Sequence, residues 1–240
     1  MKFAQPLVPA RLERRYKRFL ADAILKDGTK ITAHCANSGA MLGCAPAGAR
    51  IWLSPNTNPK AKLDWRWELV EVDDTLVGIN TAHPNRIVET AIMEDRISEL
   101  TGYQTLRREV AYGASSRIDL LAQDHPDRPG QNCYIEVKNV TLRQDGEARF
   151  PDAVTARGTK HLMELADMVR QGHRAVMLYL VQRDDCDQMA LAHEIDPAYA
   201  RAFSHAVEQG VEAYAYACSI TLDHIRIAQP LPIRPPASYP

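Results

Sequence analysis

The 240-residue chain lacks an excess of charge of either sign: 29 Lys and Arg stand against 30 Asp and Glu, for a formal net charge of −1. It is therefore not globally basic, and any contact with nucleic acid has to come from local patches. It also lacks an apolar run of about 20 residues, so no segment reads as membrane-spanning. Met1-Lys2-Phe3-Ala4-Gln5-Pro6 has no extended apolar core and does not read as a signal peptide. A cytoplasmic protein with no membrane partner is the expectation. Cysteine is scarce and unpatterned: the five at 35, 44, 133, 186 and 218 are odd in number, irregularly spaced and form no C-x-x-C. Neither a disulfide framework nor a zinc site is suggested, and Cys133 reads as a reduced apolar thiol in a core strand. What remains is an ordinary globular composition, 45% apolar and 25% charged, long enough for one large domain or two small ones.

Organisation changes near residue 83. Residues 1–82 read as short strands with turn signals. Arg11 to Leu25 is one long strand-like run, closed by Lys26-Asp27-Gly28-Thr29, and Ile31 to Cys35 returns. Ala49 to Leu53 is a further strand. Trp67 to Val72 and Leu76 to Asn80 form a hairpin around Asp73-Asp74. Such a series suggests a small β-barrel, with an OB-like form favoured. Trp52, Trp65 and Trp67 read as barrel core or rim. In Arg11-Leu12-Glu13-Arg14-Arg15-Tyr16-Lys17-Arg18-Phe19, five basic residues and two aromatics stand against one acid. Arg14, Arg15, Lys17 and Arg18 are thus candidate phosphate contacts; a solvated strand face is the other reading.

Residues 83–240 alternate between helix and strand. Pro84 opens a helix with Val88, Ala91 and Ile92 as its apolar stripe and Glu89 at the edge. Arg107–Tyr112, Arg117–Leu121 and Cys133–Leu142 read as strands, Ala153–Gln171 as a helix and Arg174–Gln182 as a strand buried on both faces. Pro197–Gly210 is another helix and Val211–Ala217 another strand. The order αβββαβ is that of a restriction-endonuclease-like α/β core. On the second helix, Arg157, Lys160 and His161 form a basic face beside Glu164. That face suits a phosphate, or else it is ordinary helix surface with a Lys160–Glu164 pair.

The chemistry concentrates between residues 117 and 142. Arg117-Ile118-Asp119-Leu120-Leu121 and Tyr134-Ile135-Glu136-Val137-Lys138 are apolar strands carrying charge, separated by the polar stretch 124–132. Glu136 and Lys138 share a strand face, with Ile135 and Val137 opposite. Charge inside apolar strands is costly unless paired or bound to metal. Two carboxylates suit a hard cation such as Mg²⁺ or Mn²⁺, and a lysine beside them can position a water or stabilise phosphate charge. The segment resembles the D…ExK pattern of the PD-(D/E)XK nucleases, with Ile118 where a proline is usual. An exposed hairpin with a Glu/Lys pair is the alternative.

Four strings taken together narrow this further: His34-Cys35-Ala36-Asn37-Ser38-Gly39-Ala40-Met41, Ser116-Arg117-Ile118-Asp119, Tyr134 to Leu142, and Phe150 to Leu162. In kind and order they resemble the bacterial sugar fermentation stimulation protein A family over essentially the whole chain. The resemblance implies an OB-fold domain followed by a PD-(D/E)XK-like domain, DNA binding without strong sequence preference, and a regulatory role in sugar, notably maltose, utilisation. It places the nuclease-like motif on Asp119, Glu136 and Lys138, and the acidic residue of the preceding helix on Glu89. Asn139 follows the lysine where a serine is expected. Two functions stand from this reading. One is a DNA-binding regulator that uses the nuclease fold as a phosphate-reading scaffold. The other is a Mg²⁺- or Mn²⁺-dependent nuclease on DNA or RNA, with Asp119, Glu136 and Glu89 at the metal and Lys138 positioning the nucleophile. Strandedness and oligomeric state, a homodimer included, stay open.

Overall fold

A β-hairpin series closes on itself first. The computed structural model describes residues 1–113 and 116–234. In it β1 (Val8–Tyr16), β2 (Leu20–Leu25), β3 (Lys30–Cys35), β4 (Arg50–Pro55) and β5 (Trp65–Val72) run in the order β3-β2-β1-β4-β5. A parallel β3–β5 pairing shuts the barrel, and β6 (Thr75–Gly78) pairs onto β5. This is a closed five-stranded OB barrel. The run from Arg11 to Leu25 is not one strand: it breaks at Lys17 and Arg18, whose φ values of 49° and 63° turn the chain back, so β2 pairs antiparallel with β1. Inside sit Leu12, Ala21, Ala23, Ala33, Cys35, Ile51, Leu53 and Val70. Trp67 is fully buried with them and donates its indole N–H to the Leu69 carbonyl at 2.8 Å, which satisfies its one polar atom.

The α/β domain follows. α1 (Pro84–Met93) leads through a short turn to β7 (Thr105–Tyr112), β8 (Ser116–Gln123) and β9 (Cys133–Val140). Two short strands come next, β10 (Leu142–Gln144) and β11 (Glu147–Phe150), then α2 (Ala156–Arg170), β12 (Arg174–Val181), β13 (Met189–Leu191), α3 (Pro197–Glu208), β14 (Glu212–Ile220), β15 (Ile225–Leu231) and β16 (Ile233–Arg234). The main sheet has the order β15-β14-β12-β9-β8-β7, parallel at its centre, where β12 lies between β9 and β14. All eight residues of β12 are buried, as its continuous apolar run requires. One face packs against α1 through Ile135, Val137, Leu178, Val88 and Ile92. The other packs against α2 and α3 through Val140, Tyr179, Leu162, Leu165 and Phe203. β10, β11, β13 and β16 make a separate four-stranded sheet that periodicity did not reveal. What reads in sequence as one strand from Cys133 to Leu142 thus changes sheet after Val140. No helix among the described residues is long and apolar enough to cross a membrane. All five cysteines are buried and free.

A buried carboxylate ties the barrel to the α/β domain. Glu68 on β5 accepts from Ser54 at 2.6 Å, from Asn80 at 2.7 Å, and meets His83 Nε2 at 2.7 Å; His83 immediately precedes α1. Burial pushes the Glu68 carboxyl up, but the His83, Ser54 and Asn80 bonds outweigh it and hold the group below its ordinary value of 4.5. A folded value below the unfolded one adds stability above the unfolded value, and that stability is lost as pH falls through the folded value. Glu68→Gln should therefore cost about 2–3 kcal/mol near neutral pH. The gap in Tm between this variant and the parent should shrink as the buffer is acidified through the carboxylate range; a constant gap would refute the assignment.

Candidate functional site

The antiparallel ladder between β8 and β9 runs from Ala122↔Cys133 to Leu120↔Ile135 and stops there. One residue beyond, the Asp119 carboxylate takes over the role of a ladder acceptor: its Oδ2 accepts the Val137 backbone N–H at 2.8 Å. Its Oδ1 accepts from Asn85 of α1 at 2.8 Å. Opposite it on β7, Glu109 has a φ of 53°, so the edge is irregular at the same level. Burial first, and the Glu136 charge second, push the Asp119 carboxyl up to about 6. The Val137 and Asn85 bonds and the Lys138 charge pull the other way without cancelling that rise.

Glu136 is 3% exposed and lies on the α2 face of β9, while Ile135 and Val137 face α1. Lys138 Nζ donates to Glu136 Oε1 at 2.7 Å. His161 Nδ1, from α2, meets the same oxygen. Arg157 Nε donates to His161 Nε2 at 3.3 Å, which leaves the ring hydrogen on Nδ1, facing Glu136. Burial raises the Glu136 carboxyl, and the His161 bond with the Lys138 charge outweighs it, so the group sits below its ordinary range. Its second oxygen, Oε2, is buried with no hydrogen-bond partner. The Tyr112 hydroxyl and both Glu164 oxygens are likewise buried and without hydrogen bonds. Burial, then the charges of Glu136, Glu164 and Asp119, raise the Tyr112 phenol.

This donor set is all hard oxygen, and the orphaned Glu136 Oε2 fits a divalent cation. Among the described residues no three Asp, Glu, His or Cys side chains converge as a closed metal cage. A cation here would therefore keep several waters, which is the habit of Mg²⁺. Asp119 and Glu136 are the residues that could hold it.

The structure gathers Asp119, Glu136, Lys138, His161 and Arg157 at one place. Lys160 lies one turn from Glu164, with its Nζ 3.5 Å from the Glu164 carboxylate. Glu89 pairs with Arg108 of β7 at 3.6 Å; from α1 it is Asn85, one turn earlier, that reaches Asp119. Sequence reasoning missed Asn85. Its only signal was its place one helical turn before Glu89, on the same face. The barrel residues separate into different roles. Arg14 pairs with Asp22 at 2.9 Å and lies over the Tyr16 ring. Arg15 is tied to the neighbouring loop, donating to the carbonyls of Asn37, Gly39 and Ala40 at 2.8, 2.9 and 3.3 Å. Lys17 and Arg18 form the exposed turn after β1.

Comparison with known proteins gives a consistent result. Residues 14–79 match the SfsA N-terminal OB domain, and residues 82–224 match the sugar fermentation stimulation protein RE domain. A sugar fermentation stimulation protein homolog of Paramagnetospirillum magneticum is 57% identical over 231 residues, covering 96% of this chain and 97% of its own. One of Rhodospirillum centenum is 58% identical over 232 residues, covering 96% and 98%. The solved structure of Pyrococcus furiosus SfsA in complex with Ca²⁺ superposes with a TM-score of 0.86 at 24% identity, covering 98% of each chain.

Asn85 orients Asp119 without itself carrying charge. Asn85→Ala should leave the protein folded and, with a cation held at Asp119, would weaken Mn²⁺ binding by about 10- to 100-fold, the usual cost of losing a residue that orients a metal ligand. Titration calorimetry checks this; unchanged affinity would mean that Asp119 is placed by Val137 alone.

Proposed function

The chain belongs to the sugar fermentation stimulation protein family, and from that premise we propose that it is a DNA-binding protein whose α/β domain holds a divalent cation at Asp119 and Glu136. The observation that carries this reading is the buried, unpartnered Glu136 Oε2 beside an Asp119 whose carboxyl is pushed upward. Burying two carboxylates side by side is costly, and a bound cation offsets that cost. The name of the Pyrococcus furiosus relative, which records Ca²⁺, supports the same chemistry. DNA contacts would be to phosphates and without strong sequence preference, which suits a protein of no net basic charge with local cationic turns. A regulatory role in sugar utilisation, including maltose, is part of the same reading.

A second reading, a Mg²⁺- or Mn²⁺-dependent nuclease on DNA or RNA, is favoured by one specific contact. Lys138 Nζ sits 2.7 Å from Glu136 and projects on its side of the strand, where a lysine can hold a water for in-line attack or steady the charge developing on the phosphate. The cation, when bound, would polarise the phosphoryl oxygen. His161, fixed between Arg157 and Glu136, orients the glutamate.

Single-stranded, duplex and branched DNA and RNA should be incubated with Mg²⁺, Mn²⁺ or chelator and the products sized. Cleavage that needs metal and vanishes in Glu136→Ala would establish the nuclease; binding without products would establish the binding protein alone. Lys138→Ala should lower any cleavage rate steeply while metal and DNA binding change little, because such a lysine acts in the transition state. A folded Lys138→Ala that cleaves at the parent rate would remove the lysine from the mechanism.

A further inference from the structure

Two cavities meet where the barrel faces the α/β domain. One, of about 470 Å³, lies between Arg15, Arg18 and Ser38 and the segment from Phe150 to Thr155. The other, of about 180 Å³, lies between Asn37 and Thr81 on one side and Asn139, Thr141 and Arg149 on the other. Ser38, Gly39, Phe150 and Asp152 line both, so the two form one groove. The strings 34–41 and 150–155, which the metal site does not use, supply most of its walls.

The groove is held in shape from both sides. Arg15 fastens the 37–40 loop by its carbonyls. The Met41 N–H donates to Asp152 Oδ2 at 2.8 Å across the domains. Gly39 permits that approach: a Cβ there would stand 2.9 Å from the same carboxylate oxygen. Both walls continue into the candidate site. β9 passes from Lys138 into Asn139, and Thr155 caps α2, accepting from Gly158 N–H at 3.1 Å, just before Arg157.

The lining has the chemistry of a strand of nucleic acid. Arg18, Ser38, Asn139 and Thr155 offer donors, and the one lining carboxylate, Asp152, already accepts from Met41; Arg149 also lines the groove but donates to the Leu191 carbonyl at 3.3 Å and pairs with Glu147 at 3.5 Å. Arg18 is exposed in its turn, and the next residue, Phe19, is 47% exposed with its ring stacked 6.5 Å from that of His34 at 19°. A cationic groove with a flat aromatic beside it is how single strands are held, phosphates on the charges and bases on the rings. Single strands expose unstacked bases that can lie on such a ring, whereas a duplex keeps its bases paired and stacked inside.

We infer that the groove between the barrel and the α/β domain takes single-stranded nucleic acid, with phosphates against the exposed Arg18 and bases on the Phe19–His34 face, and leads it toward Asp119, Glu136 and Lys138. This rests on the DNA-binding reading above and adds strandedness and path.

The test uses the full chain in chelator and the fluorescence anisotropy of a labelled strand of about 15 nucleotides, alone or as duplex. The single strand should bind at least about tenfold more tightly, and Phe19→Ala should weaken it by about fivefold or more. Arg18→Ala should shrink the slope of log affinity against log salt by about 0.7. Ser38→Trp, at an exposed position, fills the groove without changing charge and should abolish single-strand binding, with a thermal melt showing that it remains folded. Should Ser38→Trp fail to fold, Phe19→Ala and Arg18→Ala at the exposed turn decide the question. Equal affinity for duplex and single strand, or a folded Ser38→Trp that binds like the parent, would overturn this path while DNA binding stood. Absence of binding to either form would overturn both.

Discussion

One hydrogen bond sets the geometry on which the rest depends: the Val137 N–H given to the Asp119 carboxylate at 2.8 Å. In a regular sheet that N–H would seek a backbone carbonyl. Here the β8–β9 ladder has ended one residue earlier, and a side chain completes it. The substitution places a carboxylate in the sheet at the point where Glu136 and Lys138 project from the neighbouring strand. It also anchors α1, since the other Asp119 oxygen is held by Asn85. Burying an amide without a partner costs free energy comparable to a lost hydrogen bond. Asp119 is therefore part of the fold as well as of the site.

Around this point charge is arranged in tiers. Glu136 has one oxygen crowded by Lys138 and His161 and the other left bare. Arg157 fixes the histidine, and the histidine fixes the glutamate. Asp119, half-buried, and Glu136, almost fully buried, shift in opposite directions. Asp119 has amide donors and a negative neighbour, and is pushed up; Glu136 has a lysine and an imidazole, and is drawn down. The two carboxylates thus differ through their partners, since it is the more deeply buried one that is drawn down.

The domains are joined by polar bonds that are short and specific. Glu68 gathers Ser54, Asn80 and His83 at the start of α1, and Asp152 reaches the barrel at Met41. Such contacts fix the orientation of one unit on the other, and with it the groove. Two residues that look alike in the sequence diverge here: Arg15 points into carbonyls and holds a loop, whereas Arg18 stands in the turn and faces outward. In the sequence they belong to one basic run. The turn between β1 and β2 escaped notice because Lys17 and Arg18 adopt positive φ without the Gly, Asn or Asp that normally signals it.

The sequence by itself determined the barrel, the αβββαβ order, the shared face of Glu136 and Lys138, and the family, because each is written in short-range periodicity or in contiguous strings. Strand alternation is local, so two residues apart on β9 are on one side whatever surrounds them. The tertiary structure alone decided the rest. The small sheet of β10, β11, β13 and β16 has strands of two to four residues, too short to show a period. Asn85 gains its role from an aspartate 34 positions away, and Glu89 finds its partner in Arg108 on β7. Which of several arginines faces solvent and which a carbonyl depends on the loop each one meets. That pairing is made by folding between segments far apart in the chain, and no local pattern records it.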